Sequence, residues 1–311
     1  MRIIKRLALT LGIFVFLLCL ALALGSCRNI SYVTNEHTVN EDIESIKIYS
    51  STADIVIQSA EDGKGRVVCY EDELRLHTVT EQDGCLEIKE VDMRGPENFL
   101  GIGIDKTSIT IYLPEGEYSS LTVISDTGDV SVGSCFSFIS TDITLSTGKI
   151  DYKASNKGAL KLKTSTGDIF VEESSASSLD ISVSTGRVTL EDISCEGKIT
   201  IDVTTGGSRL KNITCNRLVS TGSTGAISLD NVEAFDSLVI ERSTGSVLLD
   251  SIDAKTIYIE TSTGSVTGSL KSGKLFDVST DTGRIDIPEH GMYGLCEIHT
   301  STGRISITVE D

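Results

Sequence analysis

Two observations predict an all-β fold, a parallel β-solenoid (β-helix) of about ten coils of 19–20 residues. One turn recurs along the chain at nearly constant spacing, and apolar residues alternate with polar ones on both sides of it. The turns are Asp126-Thr127-Gly128, Ser146-Thr147-Gly148, Ser165-Thr166-Gly167, Ser184-Thr185-Gly186, Thr204-Thr205-Gly206, Ser223-Thr224-Gly225, Ser243-Thr244-Gly245, Ser262-Thr263-Gly264, Asp281-Thr282-Gly283 and Ser301-Thr302-Gly303. Successive glycines lie 20, 19, 19, 20, 19, 20, 19, 19 and 20 residues apart. A fixed period of this size marks a repeat architecture.

The residues around each glycine identify what repeats. Apolar side chains stand two and four residues after it, as in Val130 and Val132, Ile169 and Val171, or Ile227 and Leu229. They stand again five and seven residues before it, as in Leu121 and Val123, Leu179 and Ile181, or Ile257 and Ile259. This is period two, the mark of a strand with one buried face. A unit this short cannot bury its own apolar face and must stack on its neighbours. Ten stacked coils make a rod of about 45–50 Å at the strand spacing of a sheet. Glycine supplies the positive φ at the turn, and Ser and Thr hydroxyls satisfy turn backbone groups. Three departures predict looser or bulged coils: Ser208 and Ser220 in apolar slots, and Gly268 in place of the second inward residue after Gly264.

Residues 28–120 carry the alternation without the strict period. Strands are expected at Ser45–Ser50, Ala53–Ser59, Arg66–Glu71, Arg75–Thr80, Cys85–Val91 and Ser108–Pro114, with turns at Glu61-Asp62-Gly63-Lys64-Gly65 and Gln82-Asp83-Gly84. This region reads as an irregular β cap over the first open edge of the solenoid, residues 121–311. At the far end Glu310-Asp311 is expected to blunt edge-to-edge association.

Residues 1–27 read as a signal or anchor segment. Arg2, Lys5 and Arg6 precede an uncharged apolar run from Leu7 to about Ser26, close to the ~20 residues that span a bilayer. The positive-inside rule then leaves the rest of the chain extracytoplasmic. Leu24-Gly25-Ser26-Cys27 resembles a bacterial lipobox, which makes Cys27 the candidate lipidation site; an uncleaved transmembrane helix is the alternative.

Composition excludes some functions. The chain has 27 Lys and Arg against 45 Asp and Glu in 311 residues, so it lacks the basic face that nucleic-acid binding needs. Aromatic residues are 5% with no Trp, and only four His are present, which argues against a sugar-stacking groove or a histidine metal cluster.

The Ser-Thr-Gly repeat, the segment Ala53-Asp54-Ile55-Val56-Ile57, the strand Ile109-Thr110-Ile111-Tyr112-Leu113-Pro114 and the amino-terminal anchor together resemble the bacterial putative-adhesin family of β-strand-repeat proteins, the LiaG-like envelope proteins. The likeness spans roughly residues 40–311. It implies an extracytoplasmic β-repeat domain in a bacterial envelope protein with a role in adhesion. It supplies no catalytic residues.

The residues themselves suggest few sites. Cys195 and Cys215 each fall nine residues after a turn glycine, where other coils have Ala176, Ala234 and Ala254, so buried small thiols are favoured over a disulfide. Cys69 and Cys85 are read as lying on neighbouring strands able to pair, while Cys135 and Cys296 have no evident mate. No Cys-x-x-Cys spacing exists, and neither a metal nor a cofactor is expected. Asp follows the glycine only at Asp129 and Asp168, with Lys149, Arg187, Arg284 and Arg304 in that slot elsewhere, so the carboxylate ladder of a calcium β-roll is not formed. His37, His77, His290 and His299 read as surface or loop residues. Regular coils leave no room for the long loops of a polysaccharide-acting enzyme, and neither a catalytic residue nor a small-molecule substrate is predicted. The expected function is a noncatalytic, membrane-tethered binding scaffold for an envelope polymer or protein. Self-assembly through an uncapped end is the alternative.

Overall fold

The computed structural model describes residues 31–40, 42–93, 107–289 and 291–310. The apolar amino-terminal segment, Cys27 and His290 lie outside them. No helix among the described residues is long and apolar enough to cross a membrane. The described residues form 24 strands in one continuous hydrogen-bonded array.

The first nine strands are β1 (Tyr32–Thr38), β2 (Ser45–Ser50), β3 (Asp54–Ser59), β4 (Arg66–Asp72), β5 (Arg75–Gln82), β6 (Cys85–Asp92), β7 (Ser108–Leu113), β8 (Gly116–Thr127) and β9 (Val130–Val132). From β8 onward each repeat lays one strand before its glycine and one after it, in parallel register with the next repeat. Leu179 pairs with Ile199 and Ile181 with Ile201 on one side of the turn; Ile169 pairs with Val188 and Val171 with Leu190 on the other. Both sets of inward residues enter a single apolar core that runs the length of the stack. Parallel strands buried by neighbours above and below explain the dominance of Ile, Val and Leu in these slots.

The layers do not follow chain order at either end. Gly264 N–H donates to Thr302 O, and Gly303 N–H donates to Thr282 O, each at 2.9–3.0 Å. The carboxy-terminal repeat, strands Leu295–Thr302 and Ile305–Val309, therefore lies between the Gly264 layer and the Gly283 layer. The same insertion occurs at the amino-terminal end. β2 and β3 stack on β8 and β9, with Ala53 in the glycine position, and β6 and β7 stack outside β2 and β3. β4 and β5 then run antiparallel across β7 and β6, and β1 is the outermost strand against β4.

This order corrects two expectations. The outer edge at the carboxy-terminal end belongs to Leu275–Thr282, not to the last strand, so Glu310 and its neighbours do not guard it. Glu310 instead accepts hydrogen bonds from Ser251 Oγ and Ser269 Oγ, which hold its carboxyl below the usual range. Cys69 and Cys85 are also not on paired strands. Cys69 faces Ile109 and Asn35, whereas Cys85 faces Ser45 and Gln82, and both are free thiols.

The coil around Ser220 is filled, not loosened. The inward slot three residues before each glycine holds Val183, Val203, Gly222, Arg242 and Thr261 in successive layers. Arg242 is 6% exposed, and its guanidinium turns into the layer of Gly222 and Ser220, where Nη2 donates to Ser220 Oγ at 2.7 Å. A Cβ on Gly222 would lie 2.1 Å from Nη1. Ser220 and Gly222 thus give up side-chain volume to one arginine of the adjacent layer. Nη1 has no hydrogen-bond partner, and burial lowers the pKa of the guanidinium. A buried cation so poorly paired is a cost to the fold. Arg242→Met, which keeps the stem and removes the charge, is expected to raise stability by about 1–3 kcal/mol in denaturant titration.

Candidate functional site

The repeated turns form one edge of the molecule. Each glycine donates its N–H to the threonine carbonyl of the next layer at 2.8–3.1 Å, from Gly128 to Thr147 through Gly245 to Thr263. The Ser and Thr just before each glycine are exposed, so the edge presents a column of hydroxyls. Inside it, Thr164, Thr261, Thr280 and Thr300 donate from Oγ1 to glycine carbonyls of adjacent layers at 3.1–3.2 Å.

Where the residue after the turn is an aspartate, it has a structural task. Asp54 Oδ1 accepts from Asp129 N, Asp129 Oδ1 from Lys149 N, and Asp168 Oδ1 from Arg187 N, at 2.7–2.9 Å. These carboxylates cap backbone donors of the next layer.

A second corner, missed in the sequence, stands six residues after the glycine. Glu173, Asp192, Asn212, Asn231 and Ser251 take left-handed φ values of 50–57°. Asn and Asp tolerate this region best among residues with a side chain. Asn212 Nδ2 donates to Asp192 Oδ1 at 2.7 Å, Asn231 Nδ2 to Asn212 Oδ1 at 2.9 Å, and Lys271 Nζ closes the ladder on Asn231 Oδ1 at 2.8 Å. Three Asx residues in phase with the turn were the available signal.

The cap contains the densest group of buried polar side chains. β4 places Val67, Cys69 and Glu71 on its inward face, and β5 adds His77 from across the hairpin. His77 is 6% exposed, which corrects its reading as a surface or loop residue. Its Nδ1 is 2.7 Å from Glu71 Oε2, and its backbone N–H donates to the same oxygen at 2.6 Å. Asn35 Nδ2 donates to Glu71 Oε1 at 2.7 Å. On the other side of the ring, Nε2 is 3.4 Å from Ser50 Oγ and 3.8 Å from Glu90 Oε2. Glu90 accepts from Ser51 N at 2.7 Å and from Ser50 Oγ at 3.3 Å. Burial and the charge of Glu71 push the Cys69 thiol up to about 12.

The order hydroxyl, imidazole, carboxylate is that of a hydrolytic triad, but its setting is different. Ser50 is buried, its Oγ accepts from Ala53 N at 3.2 Å, and it already donates to Glu90. The group lies inside the cap, and Ser50 is only 8% exposed. Elsewhere, Cys195 and Cys215 are in register as buried free thiols, and burial pushes Cys215 up to about 12. His37 is on β1 and His299 is on the strand Leu295–Thr302, where its Nδ1 is 2.8 Å from Ser279 Oγ.

Stacked parallel layers, a glycine-turn column and polar outer edges define a β-solenoid repeat protein. Residues 43–206, more than half of the chain, match the Toastrack DUF4097 family, and the chain belongs to that family. Its fold is shared with a crystal structure described as a putative adhesin from Parabacteroides distasonis ATCC 8503, 14% identical, with a TM-score of 0.53 over 76% of this chain and 98% of that one. A putative adhesin from Parabacteroides merdae ATCC 43184 is 13% identical, with a TM-score of 0.41 over 91% of this chain and 98% of that one. No curated protein matches this chain.

Proposed function

We propose that this protein is a noncatalytic, membrane-tethered scaffold on the outer side of a bacterial membrane, binding an envelope polymer or another envelope protein through its layered edges. The column of exposed Ser and Thr hydroxyls at the turns carries this reading, because it offers the same polar group at every ~4.8 Å step, a spacing suited to an extended repeating partner. The adhesin description of the Parabacteroides distasonis structure supports it. So does the apolar amino-terminal run behind three basic residues.

The test is retention of the full-length chain on isolated envelope material, compared with a variant in which Ser146, Ser165, Ser184 and Ser223 are all Ala. The reading predicts retention of the native chain and its loss in the variant at unchanged circular dichroism. No retention of the native chain, or equal retention of both, would contradict it. Removing repeats from the carboxy terminus is a poor substitute, because it also removes the inserted layer that joins the Gly264 layer to the outermost one.

One observation favours self-assembly as a second reading. The outer edge of Leu275–Thr282 pairs on one side only among the described strands, and Leu275 beside it is 54% exposed. Such an edge is a template for another chain. Scattering that reveals concentration-dependent rods would support this reading, and a monomer across the accessible range would remove it.

A further inference from the structure

Three donors of different chemistry meet inside the cap. Cys69 Sγ, a carboxylate oxygen of Glu71 and a ring nitrogen of His77 lie within 4.8 Å of one another, and all three residues are buried. No second group of this kind stands among the described residues, where the inward slots of paired strands hold mostly aliphatic side chains. Burying a thiol, an imidazole and a carboxylate together where Val or Ile would pack is tolerated here through the hydrogen bonds of Glu71 to Asn35 and His77.

We propose that Cys69 Sγ, Glu71 Oε2 and His77 Nδ1 bind one zinc ion that staples the β4–β5 hairpin of the amino-terminal cap. A thiolate, an imidazole and a carboxylate form a mixed set that suits zinc and does not suit calcium or magnesium, which take oxygen ligands. The surroundings are those of an oriented metal site. Asn35 holds Glu71 Oε1, leaving Oε2 toward the ring. Ser50 Oγ lies 3.4 Å from His77 Nε2 and donates in turn to Glu90, so the histidine is backed by a hydroxyl that a carboxylate holds. The spacing Cys-x-Glu followed by His six residues after Glu71 has no motif value in the linear sequence; the hairpin brings the third donor across.

Zinc takes the thiolate, so binding releases the Cys69 proton, and the ion takes the place of the hydrogen bond between His77 Nδ1 and Glu71 Oε2. The Nδ1 to Oε2 separation must open from 2.7 Å to about 3.3 Å, the edge of a tetrahedron with ~2.0 Å bonds. The fourth position is left for water or a further oxygen.

The experiment uses the full-length chain in mild detergent, stripped with a chelator and titrated with zinc alone. One zinc per chain is expected, with release of the Cys69 thiol proton read from the buffer dependence of the binding heat. Cobalt(II) in its place should give a thiolate-to-cobalt charge-transfer band. Cys69→Ala should lose that band and weaken zinc binding by more than ~100-fold, beyond the effect of losing an outer partner. Should this variant fail to fold, the cobalt band of the native chain decides. A folded native chain that takes up no zinc, or one whose cobalt spectrum lacks the thiolate band, would overturn the proposal.

Discussion

Gly186→Ala is expected to cost about 3–5 kcal/mol of stability, whereas Gly116→Ala costs about 1–2 kcal/mol. Both glycines have φ near +150° (152° and 155°), so both substitutions carry the backbone strain of that region. They differ in their neighbours. A Cβ on Gly186 would sit 1.9 Å from Gly167 O, inside the stack, while a Cβ on Gly116 meets nothing within 4 Å. The first cannot be relieved without parting two layers that share core contacts. Denaturant titration of the two variants isolates the contribution of layer contact from that of the turn itself. Equal losses would mean that the turn glycines serve only their own conformation.

Lys274→Met should destabilise the carboxy-terminal end by about 2–3 kcal/mol, at the low side of what removing one member of a buried ion pair costs because Asp253 is partly exposed. Lys274 is 2% exposed; its Nζ donates to Asp253 Oδ1 at 2.6 Å and to Tyr293 O at 2.9 Å. It lies where the chain passes outward to the Gly283 layer, and Tyr293 lies where the chain returns to the inserted one. One ammonium thus ties both crossings to the layer of Asp253. Burial alone would raise the pKa of Asp253, but the bonds from Lys274 and Ser272 outweigh it and hold the carboxyl below its usual range. A carboxyl depressed on folding stabilises above its unfolded pKa, and that contribution fades as pH falls through the folded value. The gap between native chain and variant should therefore be full at pH 7 and shrink below about pH 4. Hydrogen exchange should show the loss in residues 271–302 and not in the cap. A gap that widens on acidification, or protection lost evenly along the rod, would contradict this role.

The repeat was legible because two independent periods coincide in it, the two-residue alternation of a strand and the 19–20-residue return of a glycine. Both follow from local sterics and burial, and both are written in adjacent residues. Layer order is not. The turns at Gly264, Gly283 and Gly303 have equivalent local sequences, so either of the last two could follow the first without changing any pattern. What separates them is the path between: the strand after Gly264 ends at Leu270, and residues 287–289 and 291–294 belong to a longer return. Arg242 was equally hidden, since its compensation by Ser220 and Gly222 spans neighbouring layers. The buried cap residues had left a trace. Val67, Cys69 and Glu71 share one parity, and so do His77 and Val79, so the alternation itself placed a carboxylate and an imidazole on an inward face.

Cross-linking at the turn column tests the layered arrangement most directly. Thr302 pairs with both Thr263 and Thr282 in register, which puts the latter two about 10 Å apart across one intervening layer. Cysteines at 263 and 302, or at 282 and 302, should oxidise to disulfides identified by mass spectrometry, whereas cysteines at 263 and 282 exceed the ~7 Å limit and should stay reduced. A ready 263–282 disulfide with no 263–302 bond would mean that the layers follow chain order and that the inserted end does not exist.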